Sequence, residues 1–187
     1  MISTNDFRNG TCIEYKDGIY QVVDFQHVKP GKGSAFVRTK LKNIETGRVI
    51  ENTFNSGVKV KDVRIEYRPY QFLYQDEIGY TFMHNQTYEQ ITLNKDLIEN
   101  PDLMKAGQEA QIMFNAEKEM PMAAVLPPFV ELEVTYTEPG VKGDTATNTL
   151  KPATLETGAE INVPLFINIG DKVKVDTRTR EYNERIK

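Results

Sequence analysis

The sequence has 187 residues, of which 39% are hydrophobic and 27% are charged, a composition typical of water-soluble globular proteins. Its only cysteine, Cys12, excludes an intrachain disulfide and paired-cysteine metal sites, and it favours a reducing, cytoplasmic environment. The net charge of -4 excludes a protein that coats nucleic acid with its whole surface.

Apolar and polar residues alternate with a period of two along most of the chain, which predicts an all-β protein of many short strands. The first strands are predicted at 11–15 and 19–28 around a Gly-bearing turn, and then at 35–44 and 48–54. These four strands predict one small antiparallel barrel over residues 1–63.

The middle segment, residues 64–126, has strand patterns at 70–75, 80–84, 88–93 and 111–115. Asn94 can cap a helix, but Pro101 lacks an amide donor and prevents a long one. We therefore expect two short helical turns between the third and fourth of these strands.

The last segment, residues 127–187, begins at Pro127-Pro128 and opens with a strongly alternating strand at 130–137. One face is predicted to carry Val130, Leu132, Val134 and Tyr136, and the other Glu131, Glu133, Thr135 and Thr137. Further strands are predicted at 161–169 and around 173–175, and five-stranded oligonucleotide-binding (OB) barrels fit both later segments. A unit of about 60 residues is marginally stable alone, so we expect the middle and last segments to pack together.

Charge is unevenly distributed among the three segments. The first carries a net charge of +3, the middle -5 and the last -2. We expect the cationic end to meet phosphate, while the acidic remainder stays clear of it or touches it only locally.

The loop from Lys29 to Ser34 joins two predicted strands and contains Pro30, Gly31, Lys32 and Gly33. Pro30 stiffens the approach and the two glycines leave Lys32 without bulky neighbours, which predicts a hairpin tip that carries one amine into solvent. An ordinary polar turn would use the same residue types. A phosphate-binding P-loop is a poor match, because the required spacing is absent and a strand pattern follows.

The strand after this loop has a basic face. Phe36, Arg38, Lys40 and Lys42 alternate with Ala35, Val37, Thr39 and Leu41. An aromatic residue among cations suits a surface that follows phosphates, although a solvated strand face has the same pattern.

Several segments, taken together and in order, resemble bacterial elongation factor P. The segment from His27 to Val37 resembles that family's lysine loop, and Met1 to Arg8 its start. Thr87 to Gln90 is similar to its middle domain, Glu133 to Thr145 to its third-domain loop, and Tyr182 to Arg185 to its C-terminal end. Two residues of the middle segment, His84 and Pro101, depart from the usual family pattern.

The resemblance implies three small β-barrel domains in an elongated, tRNA-like arrangement. An N-terminal SH3-like or KOW-like barrel spans residues 1–63, and OB-fold barrels span 64–126 and 127–187. The resemblance also implies a monomer that binds the ribosome between the peptidyl-tRNA and exit sites and relieves stalling at consecutive prolines. No covalent chemistry by the protein, no cofactor and no metal is implied.

The resemblance assigns roles to particular residues. Lys32, in the loop with Pro30, Gly31 and Gly33, is expected to be extended by a lysine-modifying enzyme and to steady the acceptor end of the peptidyl-tRNA. The remaining expected RNA contacts are Lys29, Arg38 and Lys40 near the loop, Gly143, Asp144 and Thr145 on messenger RNA in the exit site, and Tyr182 and Arg185 on transfer RNA.

Other functions give different expectations. An inactive paralogue would have the same shape, but the intact Lys32 loop argues against it. A general single-strand-binding module needs a cationic, aromatic-lined groove, which the acidic middle segment disfavours. For a hydrolase or transferase we find no nucleophile–base pair, and His27 and His84 have no neighbouring ligand cluster. The polar start and the short apolar stretch from Met122 to Val130 predict neither secretion nor a membrane span.

Overall fold

The computed structural model describes residues 1–140 and 149–186. In these residues the chain forms sixteen β-strands and three short 3-10 turns and contains no α-helix, so the all-β prediction is confirmed. Two compact units result: Met1–Arg68 with Ile112–Ala123 form unit 1, and Pro69–Gln111 with Ala124–Lys187 form unit 2.

Unit 1 contains the six N-terminal strands. They are β1 (Ile2–Ser3), β2 (Cys12–Tyr15), β3 (Gly18–Val28), β4 (Phe36–Asn43), β5 (Val49–Asn55) and β6 (Lys59–Val60). The order of the main antiparallel sheet is β2-β3-β4-β5, and β1 pairs with β6. Its inner face buries a core of Phe7, Ile13, Val22, Val37, Leu41 and Phe54.

The turn between β2 and β3 is a two-residue hairpin. Lys16 and Asp17 have φ values of 46° and 62°, as a type I′ turn requires. Gly18 lies in the strand itself, where an added Cβ would approach the Asn43 Nδ2 atom to 3.0 Å. The glycine therefore allows a close contact, while the two preceding residues make the turn.

The next five strands and two 3-10 turns follow in chain order. The strands are β7 (Ile65–Gln75), β8 (Tyr80–His84), β9 (Gln90–Leu93), β10 (Glu109–Asn115) and β11 (Met120–Val125), in the sheet order β11-β10-β7-β8-β9. The turns Lys95–Leu97 and Pro101–Leu103 confirm the two predicted helical turns. As predicted, Asn94 caps the first, because its side chain accepts the Asp96 N–H bond.

The last five strands form an antiparallel sheet in unit 2. They are β12 (Phe129–Thr137), β13 (Leu150–Leu155), β14 (Glu160–Pro164), β15 (Lys172–Asp176) and β16 (Tyr182–Ile186), in the order β14-β13-β12-β15-β16. The chain after Pro164 leaves the sheet, so the strand predicted at 161–169 is shorter than expected.

The predicted faces of β12 are confirmed for residues 130–135 and are wrong for residues 136 and 137. Val130, Leu132 and Val134 are buried, but Tyr136 is exposed and Thr137 is buried. The pairing of β12 with β13 shifts register between Val134 and Tyr136. The shift reverses the alternation because one extra residue turns every following side chain to the other face.

Residues 69–111 of the middle segment pack with the last segment within unit 2, in agreement with the predicted contact between the two segments. The Arg180 guanidinium binds both carboxylate oxygens of Asp102 at 2.7 and 2.8 Å and the Asn100 side-chain oxygen at 3.1 Å. The Asn100 amide in turn donates to the Thr177 carbonyl at 2.8 Å. The contacts join the Pro101–Leu103 turn to the β15–β16 connection.

Candidate nucleic-acid interface

The loop that carries Lys32 is the tip of the β3–β4 hairpin. Val28 pairs with Phe36 as the last rung of the ladder, and residues 29–35 form the connection. The side chain of Lys32 is exposed, as are those of Lys29 and Pro30. The salt bridges among the described residues do not involve Lys32, so its ammonium group is available to a partner.

The two loop glycines differ in what they allow. Gly33 has a φ of +109°, a conformation that residues with a side chain rarely adopt. Gly31 has no positive φ, and an added Cβ would meet nothing within 4 Å. Gly33 therefore sets the path of the loop on one side of Lys32, and Gly31 leaves the other side open.

The outward face of β4 has the predicted alternation. Val37, Thr39 and Leu41 are buried, whereas Arg38 and Lys40 are exposed. The Arg38 guanidinium lies 5.9 Å from the centroid of the Phe36 ring, within the range of a cation–π contact. Arg38, next to the loop, thus combines a charge with an aromatic surface.

Cross-strand neighbours distinguish Arg38 from Lys40. Arg38 lies opposite Gln26 on β3 and Thr53 on β5, both neutral. Lys40 lies opposite the acidic residues Asp24 and Glu51. The sequence analysis missed both acids, because residues directly opposite on a sheet are distant along the chain; only the strand register identifies them.

Tyr182 and Arg185 belong to a paired strand, and the register of that strand brings them to one face. Tyr182 pairs with Val175 and Arg185 with Val173, across a register shift, so residues three apart share a side of the sheet. Burial raises the pKa of the Tyr182 hydroxyl. Arg185 stays partly exposed and lies 3.7 Å from the Asp171 carboxylate, which reduces the charge it offers to phosphate.

Phe166 is a further candidate contact that the sequence analysis missed. Its ring is 59% exposed and lies 5.8 Å from the Arg185 guanidinium carbon. Exposed aromatic rings beside arginine suit stacking with an unpaired base. Its position just after β14, within the segment predicted as a continuous strand, concealed it.

Gly143, Asp144 and Thr145 lie outside the described residues. The His84 Nδ1 atom accepts the N–H bonds of Gln86 and Thr87, which gives this histidine a role in a turn. Among residues 1–140 and 149–186 no group of three or more His, Cys, Asp or Glu side chains could hold a metal ion.

Two further features concern the reactivity of the single cysteine and the length of the helical turns. Burial raises the pKa of the Cys12 thiol to about 11, so the thiolate expected of a reactive cysteine is disfavoured at neutral pH. In the part of the chain that the structure describes, no helix has the length and apolar character needed to cross a bilayer.

Three family models match successive parts of the chain. Residues 3–60 match the "Elongation factor P (EF-P) KOW-like domain", residues 65–122 the "Elongation factor P (EF-P) OB domain", and residues 130–185 "Elongation factor P, C-terminal". Together with the β-sheets described above, these matches confirm the predicted class of a KOW-like barrel combined with OB-type barrels.

Full-length relatives and solved structures agree with these matches. Elongation factor P from Amoebophilus asiaticus is 59% identical over 187 residues, covering 100% of this chain and 98% of that one. Elongation factor P 1 from Porphyromonas gingivalis is 59% identical over 187 residues, covering 100% of both chains. The structure of eukaryotic translation initiation factor 5A from Methanococcus jannaschii has a similar fold, with a TM-score of 0.54 and 22% identity over 66% of this chain and 92% of that one.

Proposed function

Because the chain belongs to the elongation factor P family of translation factors, we propose that it binds the ribosome beside the peptidyl-tRNA and stimulates peptide-bond formation at consecutive prolines. The site in this proposal lies between the peptidyl and exit sites, in the cytoplasm, and the factor acts as a monomer. Its contribution is to position the tRNA acceptor end; it does no covalent chemistry and uses no cofactor.

The observation that supports this proposal best is the exposed position of Lys32 at the hairpin tip. Lysine suits the role because its flexible stem carries a compact amine that an enzyme can modify once it is deprotonated. A paired strand on each side fixes where the loop begins and ends, so that the amine is presented from a rigid base. A lysine-modifying enzyme would extend its reach.

Positioning is a sufficient mechanism for such a factor. Proline has a fixed φ and a secondary amine, which make it a poorly oriented partner in peptide-bond formation. Good orientation of reactants is worth about 7–11 kcal/mol in favourable cases, and a small part of that would restore a stalled reaction. A lysine that steadies the acceptor end supplies orientation without taking part in bond making.

Additional contacts hold the factor in place. Lys29 and Arg38 meet RNA near the loop, Lys40 lies on the same face next to that contact, and Tyr182 and Arg185 meet transfer RNA by stacking and phosphate pairing. Gly143, Asp144 and Thr145 contact messenger RNA in the exit site. The exposed Phe166 ring beside Arg185 supports the assignment of a stacking contact to this end.

The test is substitution of Lys32 in a translation assay with two reporters, one containing consecutive prolines and one without them. Lys32→Ala should lose the proline-specific stimulation, because it removes the group that reaches the acceptor end. The free energy of unfolding should change by no more than about 0.5 kcal/mol, because the exposed side chain contributes little packing. Lys59→Ala, an exposed lysine elsewhere in unit 1, is the matched control and should retain the stimulation.

Lys32→Arg separates charge from modification. Arginine keeps the charge and most of the length but is no substrate for an amine-directed enzyme. It should behave like alanine if modification is required and like wild type if charge suffices. Full stimulation by Lys32→Ala would reduce Lys32 to a turn residue and refute the proposed mechanism.

A further inference from the structure

Two neighbouring transverse rows on the outward face of the β3–β4–β5 sheet have opposite charge. We define the Arg38 row as Gln26, Arg38 and Thr53, and the Lys40 row as Asp24, Lys40 and Glu51. All six side chains are exposed. The Arg38 row has a formal charge of +1 and the Lys40 row of -1, so the face is not the uniform basic stripe that the β4 sequence alone suggests.

The two rows are close enough to influence the same bound group. Successive rows on one face of a strand are two residues apart, or about 7 Å at the usual rise. This spacing is shorter than the Debye length of about 8 Å at physiological salt. An anion at the Arg38 row is therefore repelled by the carboxylates of the Lys40 row when it moves away from the loop.

The chemistry of the Arg38 row suits a sugar–phosphate backbone. Arginine presents a planar fork of donors that matches phosphate, and the adjoining Phe36 ring restricts its guanidinium. Gln26 and Thr53, on either side, can donate hydrogen bonds to phosphate oxygens and can exchange hydrogen bonds with ribose hydroxyls in either direction. In the Lys40 row, each acid has its Cβ about 5 Å from that of the lysine, which offsets the charge of Lys40.

We propose that the Arg38 row is the RNA-backbone contact of this face and that the Lys40 row is an acidic boundary that confines the RNA to the end nearest Lys32. The proposal rests on the proposed function and adds Gln26 and Thr53 as contact residues and Asp24 and Glu51 as residues that limit the contact. Arg38 and Lys40, which look equivalent along β4, then have unequal roles.

The experiment measures binding of single variants of the full chain to purified bacterial ribosomes that carry peptidyl-tRNA and an empty exit site, over a salt series. Arg38→Gln should weaken binding about tenfold and reduce the slope of log affinity against log salt by about 1. Lys40→Gln should weaken binding by at most about twofold, since the lost charge is already offset by its neighbours. Lys59→Gln is the control and should bind ribosomes with the affinity and salt slope of wild type.

Removal of the acidic boundary should strengthen ribosome binding, in contrast to the loss of Arg38. The double variant Asp24→Asn and Glu51→Gln should bind several-fold more tightly than wild type and show a steeper salt slope, because Lys40 becomes available to a further phosphate. Thermal melting of each variant should match wild type, because these exposed side chains contribute little packing. Unchanged or weaker binding by the double variant would overturn the boundary.

The identity of the partner is tested with a photo-crosslinking amino acid at Thr53. Crosslinks to transfer RNA support the proposal, and crosslinks only to a ribosomal protein overturn it. If wild type binds but Arg38→Gln and Lys40→Gln weaken binding equally, the distinction between rows fails while the proposed function survives. If wild type does not bind these ribosomes at all, the proposed function fails as well.

Discussion

The side chain of Arg180 binds Asp102 and Asn100, and the geometry of these contacts allows us to estimate how much they stabilise the protein. We expect Arg180→Met to destabilise the protein by removing three side-chain hydrogen bonds within unit 2. Methionine keeps much of the length and adds no polar group. It also leaves the backbone cost at this position unchanged, since Arg180 already has a φ of 62° without being glycine.

The size of the effect follows from exposure. The Arg180 and Asp102 side chains are 35% and 43% exposed, so water partly replaces the lost partners. A solvated ion pair contributes up to about 1 kcal/mol, and the bond to Asn100 adds about 0.5–1.5 kcal/mol. We therefore expect a loss of ~1–2 kcal/mol in the free energy of unfolding, or ~2–8 °C in Tm for a chain of this size.

The matched control is Arg178→Met in the same connection. Among the residues that the structure describes, the Arg178 guanidinium binds only the nearby Asp176, at 2.7 and 3.2 Å, and the side chain is 68% exposed. Because the Arg178 side chain lies at the surface, loss of this ion pair should leave the free energy of unfolding close to that of wild type. Urea unfolding of both variants is the assay. We expect the contact between the two segments to contribute more stability than the local turn. Equal losses in the free energy of unfolding for the two variants, or no loss for Arg180→Met, would refute this expectation.

Two further predictions concern the loop and acid stability. Gly33→Ala should reduce proline-specific stimulation because φ of +109° is strained for alanine, whereas Gly31→Ala should retain it; equal stimulation by both variants would contradict this reasoning. Stability should fall as the pH drops from about 4 to about 2, because Arg178 lowers the pKa of Asp176 to about 2 and Arg180 lowers that of Asp102, below their unfolded values of about 3.9. A carboxylate whose pKa is lower in the folded state stabilises the protein above its unfolded pKa and no longer does so once it is protonated. The free energy of unfolding of Asp102→Asn, measured with urea over this pH range, should therefore fall less steeply than that of wild type. An unchanged slope would count against the Asp102 assignment.

Much of the fold was predictable because the signals are local. The strand at Tyr80–His84 has the predicted bounds, and the two helical turns occur where Asn94 and Pro101 indicated. Alternation and capping depend on residues within a few positions of one another. The same locality made the exposed Lys32 loop predictable, since a turn needs only its own residues.

The errors arise where two distant strands meet. Alternation placed Tyr136 in the core and Thr137 outside, but a register shift against β13 reverses them. Another shift, between β15 and β16, puts Tyr182 and Arg185 on one face, which strict alternation would separate. A bulge is defined by its partner strand, so one strand's sequence does not reveal it.

The same dependence on partners decides where the charge of unit 1 is effective. The first 63 residues have a net charge of +3, but this sum does not say which cations are balanced. Lys61 binds Glu14 at 2.8 Å, and Lys40 lies between two acids. Arg38, Lys29 and Lys32 lack acidic partners in register or in salt bridges among the described residues, and they follow one another toward the hairpin tip. Because unbalanced charge attracts phosphate most strongly, pairing between strands makes the end of the sheet that carries Lys32 the place for the proposed RNA contact, which the composition of the segment alone could not specify.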